Sequence, residues 1–234
     1  DGDDTINVTF RGTGSALEIR GGADKDTITV TGVAAIDGSA DIFGGAGADV
    51  INVVNGTGMQ IIGGLGADSA TWEASGAHYK VAFGESTMAE MDTIDMSGAV
   101  TGDDVTFEFS DVNVGINDAK TYSAIVFEGN TANLVVDNGG VADLSGIASD
   151  MTAAVGFLTQ AISANAAVGF VLEGDGSGSI NESGDLYLFV KGSDADTVVE
   201  LSDAIVTGAN IGSGGDVFLS KTTEFGASTI TLNV

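Results

Sequence analysis

Short runs of β-branched and aliphatic residues, separated by glycine and aspartate, dominate the N-terminal third of the chain. After the aspartates, Ile6, Ile28 and Ile51 alternate with polar residues. Alternation with a period of two is typical of strands that have one buried and one exposed face. The pattern therefore predicts short strands with these isoleucines facing inward, joined by tight turns.

A nine-residue pattern recurs at the glycine–aspartate turns. Residues 44–52, GGAGADVIN, fit the form G-G-x-G-x-D-x-aliphatic-x at every position, and residues 21–29 and 63–71 each depart from it at one position. Residues 2–7 show the same pattern without its first glycines, so we expect the chain to be part of a longer protein. The motif aspartates, spaced 22, 23 and 19 residues apart, are Asp4, Asp26, Asp49 and Asp68.

A second repeat lies between the aspartates, in phase with the first. Residues 17–22, 40–45 and 59–64 align without a gap, and each ends in a glycine pair. Each coil is thus predicted to contain one strand before the glycine pair and one after the aspartate. The small Ala70 at the aliphatic position predicts that the last coil is weakly packed and ends the repeat. The second turn of each coil is predicted at 12–14, 37–39 and 56–58.

Stacked coils would place the motif aspartates one strand spacing, about 4.8 Å, apart along one edge. Carboxylates repel at that distance, whereas Ca²⁺ takes oxygen ligands and would bridge them. Glycines let the turns adopt positive φ and aim carbonyl oxygens at one point. We predict a ladder of about three calcium ions between four turns; ordinary Gly–Asp turns without metal are the alternative. The predicted ligands are Asp4, Gly21, Ala23, Asp24, Asp26, Gly44, Ala46, Asp49, Gly63, Leu65 and Asp68.

Other acidic turns are weaker candidates. Residues 92–95 and 102–105 repeat the motif's aspartate element without its glycine pair, and solvated turn carboxylates are an equally good interpretation. Residues 175–179 resemble the start of an EF-hand loop, but Leu186 at the twelfth position excludes an EF-hand and leaves either a calcium turn or a plain hairpin. The weaker metal candidates are Asp3, Asp92, Asp103, Asp104, Asp175, Asp194 and Asp196.

A single amphipathic helix is predicted near 149–163, from apolar residues at spacings of four, three and four. Ser149 can cap it, and the charge of Asp150 is favoured by the positive end of the helix dipole. Residues 105–136 alternate and predict antiparallel strands. The predicted fold is all-β. It comprises a calcium-stapled parallel β-helix or β-roll over 1–72, degenerate coils or connecting strands over 73–110, and a β-rich C-terminal domain with the helix over 111–234.

The charge of the chain points to cations. Its 34 acidic and 7 basic residues give a net charge of −27, which opposes compaction and excludes nucleic acid as a natural partner. Yet 43% of the residues are hydrophobic, which argues against a disordered acidic chain. Divalent cations that neutralise part of the charge reconcile the two observations. Cysteine is absent, so metal ions rather than disulfides are expected to hold the loops.

Sequence signatures of catalysis and of membrane spans are missing. His78 is the only histidine, which excludes a zinc site of the H-E-x-x-H type. The sequence has neither a G-x-S-x-G elbow nor the lysine-bearing loop of phosphate-binding enzymes. It has no run of about 20 apolar residues that would form a transmembrane segment. We therefore predict that the chain is not an enzyme.

The glycine–aspartate nonapeptides resemble the RTX repeats of proteins exported by type I secretion systems in Gram-negative bacteria. In that family the repeats form a calcium-bound parallel β-roll or β-helix that folds outside the cell. Residues 172–179, 184–190 and 194–201 look like the end region of calcium-dependent S-layer proteins, where a helix precedes a glycine-rich turn and two strands. Residues 224–234 are compatible with an uncleaved C-terminal type I secretion signal.

The departures from the RTX pattern bear on function. Each coil here has one calcium turn, whereas toxin-type repeats place a nonapeptide on both edges, which favours a surface-layer or fibre protein. The resemblance implies a secreted, calcium-binding, self-assembling structural protein at the surface of a Gram-negative bacterium. The expected partners are other copies of the chain, in an oligomer or polymer, and lipopolysaccharide or another surface component held through calcium. The alternative is the calcium-folding secretion tail of a larger adhesin or hydrolase.

Overall fold

The computed structural model describes residues 1–10, 17–32, 40–54, 59–72, 77–81, 84–97, 104–109, 115–116, 120–127, 130–136, 140–172, 185–204, 218–224 and 227–233. In this part of the chain the protein is mostly β, with parallel sheets and one short helix, consistent with the predicted all-β class. None of the described helical structure is long and apolar enough to cross a bilayer. Several predicted features lie outside the described residues, namely the turns at 12–14, 37–39 and 56–58 and the candidates Asp103 and Asp175.

Ten short strands alternate between two sheets in the N-terminal part of the chain. In the first sheet, parallel neighbours follow the order β1 (Thr5–Phe10), β3 (Thr27–Gly32), β5 (Val50–Val54), β7 (Ser69–Trp72) and β9 (Asp92–Asp95). In the second sheet, parallel neighbours follow the order β2 (Leu17–Ala23), β4 (Ala40–Ala46), β6 (Met59–Leu65), β8 (Ala77–Lys80) and β10 (Asp104–Phe109).

The strand register follows the two sequence repeats. In the second sheet the segments that align without a gap pair residue by residue, so that the glycine pairs stack. In the first sheet Ile6, Ile28 and Ile51 occupy equivalent positions on successive strands. Ile28 and Ile51 are buried and Ile6 packs half-exposed against the same cluster. The predicted inward positions are therefore confirmed.

The first hydrophobic core is formed by the inward residues of both sheets. Each fully buried aliphatic side chain of this kind contributes roughly 1.5–3 kcal/mol to folding. Its central members from the ten strands are Ile19, Ile28, Val30, Ile42, Ile51, Val53, Met59, Ile61, Ala70, Tyr79, Ile94 and Phe107. This packing holds the turn edge of every coil at a fixed spacing, which positions the aspartates that precede β3, β5 and β7.

Parallel pairing does not end at Ala70, and the prediction that this small residue closes the repeat was wrong. Ala70 is buried and lies in register between Ile51 on one side and Ile94 on the other. The first sheet then continues from β9 to a strand more than 100 residues later in the chain, β17 (Thr197–Ser202), which pairs with it in parallel.

Beyond β17 the first sheet contains both antiparallel and parallel pairs. β16 (Leu186–Lys191) is antiparallel to both β17 and β15 (Ala166–Val171). Two short strands, β11 (Gly115–Ile116) and β14 (Val141–Asp143), pair in parallel with β15. The repeat region and the C-terminal part of the chain thus share one continuous sheet.

The second sheet also changes to antiparallel pairing. β10 pairs on its far side with β19 (Ala227–Asn233), which pairs in turn with β18 (Phe218–Glu224). A separate antiparallel pair is formed by β12 (Lys120–Phe127) and β13 (Asn130–Val136). The antiparallel strands predicted within 105–136 are therefore present in β12 and β13.

One helix, α1 (Met151–Ala161), packs on the C-terminal part of the first sheet through Phe157 and Leu158 in a second core cluster. Its N-cap is Asp150 and not the predicted Ser149, because the Asp150 carboxylate accepts the Ala153 N–H at 2.9 Å. A carboxylate at this position both satisfies a free N–H group and interacts favourably with the helix dipole.

Candidate functional site

Four buried aspartates follow one another along the turn edge of the first sheet. Aspartate is almost never fully buried unless its charge is paired or bound to a metal. Three of these residues directly precede a strand, and the fourth begins β9. We call this column the carboxylate ladder, which consists of Asp26, Asp49, Asp68 and Asp92, all at most 2% exposed.

The Oδ1 atom of each ladder carboxylate links two coils. Asp26 accepts the backbone N–H of Asp4 at 2.8 Å, and Asp49 accepts that of Asp26 at 2.7 Å. Asp68 accepts the N–H of Asp49 at 2.8 Å, and Asp92 accepts that of Asp68 at 3.0 Å. Hydrogen bonds to an ionised acceptor are stronger than neutral ones. Each coil is therefore fastened to the preceding one by a side chain as well as by strand pairing.

The second carboxylate oxygen is left without a partner in three of the four residues. The Oδ2 atoms of Asp26, Asp49 and Asp68 are buried and accept no hydrogen bond. An unpaired charged oxygen in the interior carries a large desolvation penalty. Such an oxygen is expected either to hold a proton or to contact a cation.

The first glycine of each pair makes room for this unpaired oxygen. A Cβ on Gly21 would lie less than 3.0 Å from both Asp26 Oδ2 and the carbonyl oxygen of Gly44. A Cβ on Gly44 would meet Asp49 Oδ2 and the carbonyl oxygen of Gly63 in the same way. A carboxylate oxygen and a carbonyl oxygen of the next coil thus converge beside one Cα, and both are ligand types that Ca²⁺ prefers.

Among the other predicted ligands, several lie away from this column. Asp24 is exposed at φ +74°, and its carboxylate accepts the Gly2 N–H at 2.8 Å. The Leu65 carbonyl oxygen already accepts the Gly47 N–H at 2.8 Å. Asp4 lies in line with the column, next to Asp26, but its side chain is exposed in the first coil. Ala23 and Ala46 stack in register at the turn edge.

The weaker candidates are dispersed, except for Asp92 in the ladder. Asp3 is exposed and accepts the Lys25 N–H at 3.2 Å. Asp194 is exposed, and Asp196 accepts the Thr159 hydroxyl at 2.8 Å. Asp104 lies in β10, paired with Asn233. Among the described residues, there is no group of three or more His, Cys, Asp or Glu side chains that could hold a metal ion. A site between two stacked carboxylates that is completed by turn carbonyl oxygens would not contain such a group.

Two residues at the end of the ladder were not predicted as part of the site. The Tyr79 hydroxyl donates to Asp92 Oδ2 at 3.0 Å. The Ser86 hydroxyl accepts the Asp92 N–H at 2.8 Å and donates to the Val198 carbonyl oxygen. Neither residue belongs to the repeat. The sequence carries no signal for either residue, because Tyr79 comes into register with the inward Ile61 only in the folded chain.

Burial and mutual repulsion raise the pKa values of three ladder residues, Asp49, Asp68 and Asp92. Burial raises the pKa of Asp68 to about 6 and that of Asp92 to about 7, and the charge of the neighbouring ladder aspartate and of Glu85 adds to both shifts. Burial, with the charge of Asp26, also raises the pKa of Asp49. In each case the backbone N–H bond opposes the rise. Without a cation, Asp92 and, to a smaller extent, Asp68 therefore retain part of their protons at neutral pH.

No protein-family model, curated protein or solved structure matches the chain. The interpretation of the ladder accordingly rests on its own chemistry. Its oxygens fit a hard cation such as Ca²⁺, since they comprise buried carboxylate oxygens without donors and adjacent turn carbonyls.

Proposed function

We propose that this chain is a calcium-dependent structural protein of a bacterial cell surface, with stacked coils that form a calcium-stapled parallel β-helix or β-roll. The observation that carries the proposal is the column of buried carboxylate oxygens without hydrogen-bond partners at Asp26, Asp49 and Asp68. Cations held between successive turns would complete the environment of these oxygens. The role is structural and not catalytic.

The electrostatics of the ladder favour a divalent cation. Two carboxylates one strand spacing apart repel by roughly 3 kcal/mol at an effective dielectric constant of about 20. Three such neighbouring pairs occur from Asp26 to Asp92. A doubly charged ion between two of them reverses the sign of this interaction. The carboxylates, with the carbonyl oxygens of Gly44 and Gly63, would hold the ions, and calcium accepts such irregular oxygen sets more readily than magnesium.

Self-assembly is supported by the charge of the chain. A net charge of −27 makes two copies repel each other, and calcium ions between their acidic surfaces would turn this repulsion into a bridge. The same ions would bridge the chain to an anionic cell surface.

Calcium titration followed by far-ultraviolet circular dichroism tests the metal site. We expect the chelated chain to gain β structure as calcium is added. Asp49→Asn keeps an acceptor for the Asp26 N–H but removes the unpaired charge, so its midpoint should rise about tenfold, which corresponds to roughly 1.4 kcal/mol. The exposed Asp194→Asn is the matched control and should leave the midpoint unchanged. Equal midpoints for both variants would contradict the proposed site.

Electron microscopy tests assembly separately from folding. Purified protein in calcium should form sheets or filaments that dissolve when a chelator is added. Analytical ultracentrifugation over a range of protein concentrations provides the quantitative readout. A chain that folds with calcium but remains monomeric throughout would reject the self-assembling subunit and support a calcium-folding secretion tail.

A further inference from the structure

The last step of the carboxylate ladder differs from the steps before it. Beside Gly21 and Gly44, the unpaired Oδ2 atom faces the carbonyl oxygen of the next glycine pair. Beside Gly63, the corresponding place is taken by the Tyr79 hydroxyl, which would lie less than 3.0 Å from a Cβ there, together with Asp68 Oδ2. A neutral hydroxyl thus stands where the next coil would bring another carbonyl oxygen.

Asp92 is the one ladder residue with both oxygens hydrogen-bonded. Its Oδ1 accepts the Asp68 N–H at 3.0 Å, and its Oδ2 accepts the Tyr79 hydroxyl at 3.0 Å. Tyr79 is 3% exposed, so this donor is held inside the core. A buried carboxylate whose oxygens already have donors has no need of a cation to complete its environment.

Ser86 ends the series of backbone N–H bonds along the ladder. In every earlier step the N–H of a ladder residue is accepted by the carboxylate of the next coil. The Asp92 N–H is accepted at 2.8 Å by the uncharged Ser86 hydroxyl, which is fully buried. Ser86 also bonds to Val198 of β17 through both its hydroxyl and its backbone carbonyl. The column of charges therefore stops at the strand that joins the C-terminal part of the sheet.

We propose that Tyr79 and Ser86 form a metal-free terminator, which ends the cation column at Asp68 and makes Asp92 a structural carboxylate. The proposal rests on the proposed function, because it assigns which steps of the ladder hold cations. Cations occupy the gaps up to Asp68, and the phenol replaces a cation in the gap between Asp68 and Asp92. The number of bound ions is thus set by two neutral side chains outside the repeat.

Counting bound calcium by native mass spectrometry tests the terminator. Asp68→Asn should bind at least one calcium ion fewer than the unchanged chain, whereas Asp92→Asn should bind the same number. Loss of an ion in Asp92→Asn would overturn the terminator while leaving calcium binding intact. An unchanged chain that binds no calcium would instead overturn the proposed function, and the terminator with it.

Tyr79→Phe provides a second route that does not depend on Asp92→Asn folding. Removal of the phenol oxygen leaves Asp92 Oδ2 buried without a donor, so the melting temperature should fall by about 5 °C with no loss of a calcium ion. Tyr187→Phe, which removes a longer 3.3 Å bond to the half-buried Glu200, is the matched control and should change neither quantity appreciably. If Tyr79→Phe loses a calcium ion, the hydroxyl is a ligand and not a terminator.

Discussion

At the scale of single residues, the motif glycines are explained by the closeness of neighbouring coils. Gly45 has φ +127°, and a Cβ there would lie less than 3.0 Å from the carbonyl oxygen of Gly22. Gly22 has almost the same backbone angle, φ +129°, but nothing lies within 4 Å of a Cβ at that position. A comparison of Gly45 with Gly22 therefore separates the energetic cost of the backbone angle from that of a clash with the neighbouring coil.

We predict that Gly45→Ala destabilises the calcium-bound chain more than Gly22→Ala does. Both variants carry the strain of a left-handed or similar angle, about 1–2 kcal/mol. Gly45→Ala adds a backbone clash that typically costs a further 1–3 kcal/mol or so. Chemical denaturation measures both differences, and Gly146→Ala, where no atom lies within 4 Å, is the unstrained control. Equal losses for Gly45→Ala and Gly22→Ala would mean that coil spacing is not what requires glycine.

The site was predictable in its position but not in its detail. The nonapeptide spacing indicated that Asp26, Asp49 and Asp68 would stack, and they do so in the structure. Periodicity carries no information on which carboxylate oxygen finds a donor. Tyr79 and Ser86 could not be predicted, because neither is repeated in the sequence and their partners become neighbours only in the folded chain.

At the scale of elements, helix α1 is held at its start by one side chain. Asp150 is the cap, with an extended backbone and a 2.9 Å bond to Ala153 N, and Ser149 instead donates weakly to Asp150 at 3.3 Å. We predict that Asp150→Ala lowers the free energy of unfolding by about 1 kcal/mol. Ser149→Ala should change it by less than about 0.5 kcal/mol. Thermal melts of the two variants check the assignment, and the reverse order would restore Ser149 as the cap.

Strand partners were predictable only where the sequence repeats itself. The alignment of residues 17–22, 40–45 and 59–64 fixed the register of β2, β4 and β6. The pairing of β9 with β17 joins residues 107 apart, Thr93 and Glu200, whose side chains also share a 2.9 Å hydrogen bond. Alternating hydrophobicity identifies a strand but says nothing of so distant a partner. For the same reason, the sequence predicts that the repeat ends at Ala70, although Ala70 is an internal position of the first sheet.

At the scale of the whole molecule, the raised pKa values of the ladder couple folding to protons, and the proposed calcium sites would couple it to cations as well. A net charge of −27 favours any bound positive species, and the ladder buries four acidic groups where the charge is least tolerated. In the calcium-free chain the groups that face one another there are Asp26, Asp49, Asp68, Asp92, Glu85 and the Tyr79 hydroxyl. If the ladder binds calcium as we propose, protons and calcium ions compete for the same oxygens.

The direction of the pH effect follows from the raised pKa values. In the folded chain the pKa of Asp68 is about 6 and that of Asp92 about 7, whereas an unfolded aspartate has a pKa of about 3.9. Folding thus takes up protons between these values, so the stabilisation is complete below about pH 4 and is lost as the pH rises through 6 and 7. We predict that calcium-free protein melts several degrees higher at pH 5.0 than at pH 7.5.

Calcium should reverse this order, because the cations require the ionised ladder and their binding is strongest where the protons have left. The rise in melting temperature on adding calcium should accordingly be larger at pH 7.5 than at pH 5.0. Asp92→Asn removes the ladder group whose pKa is raised to about 7, and it should flatten the pH dependence of the calcium-free chain without abolishing the calcium effect. Calcium-free protein that is more stable at pH 7.5 than at pH 5.0 would show that the ladder carboxylates are not the groups that govern folding.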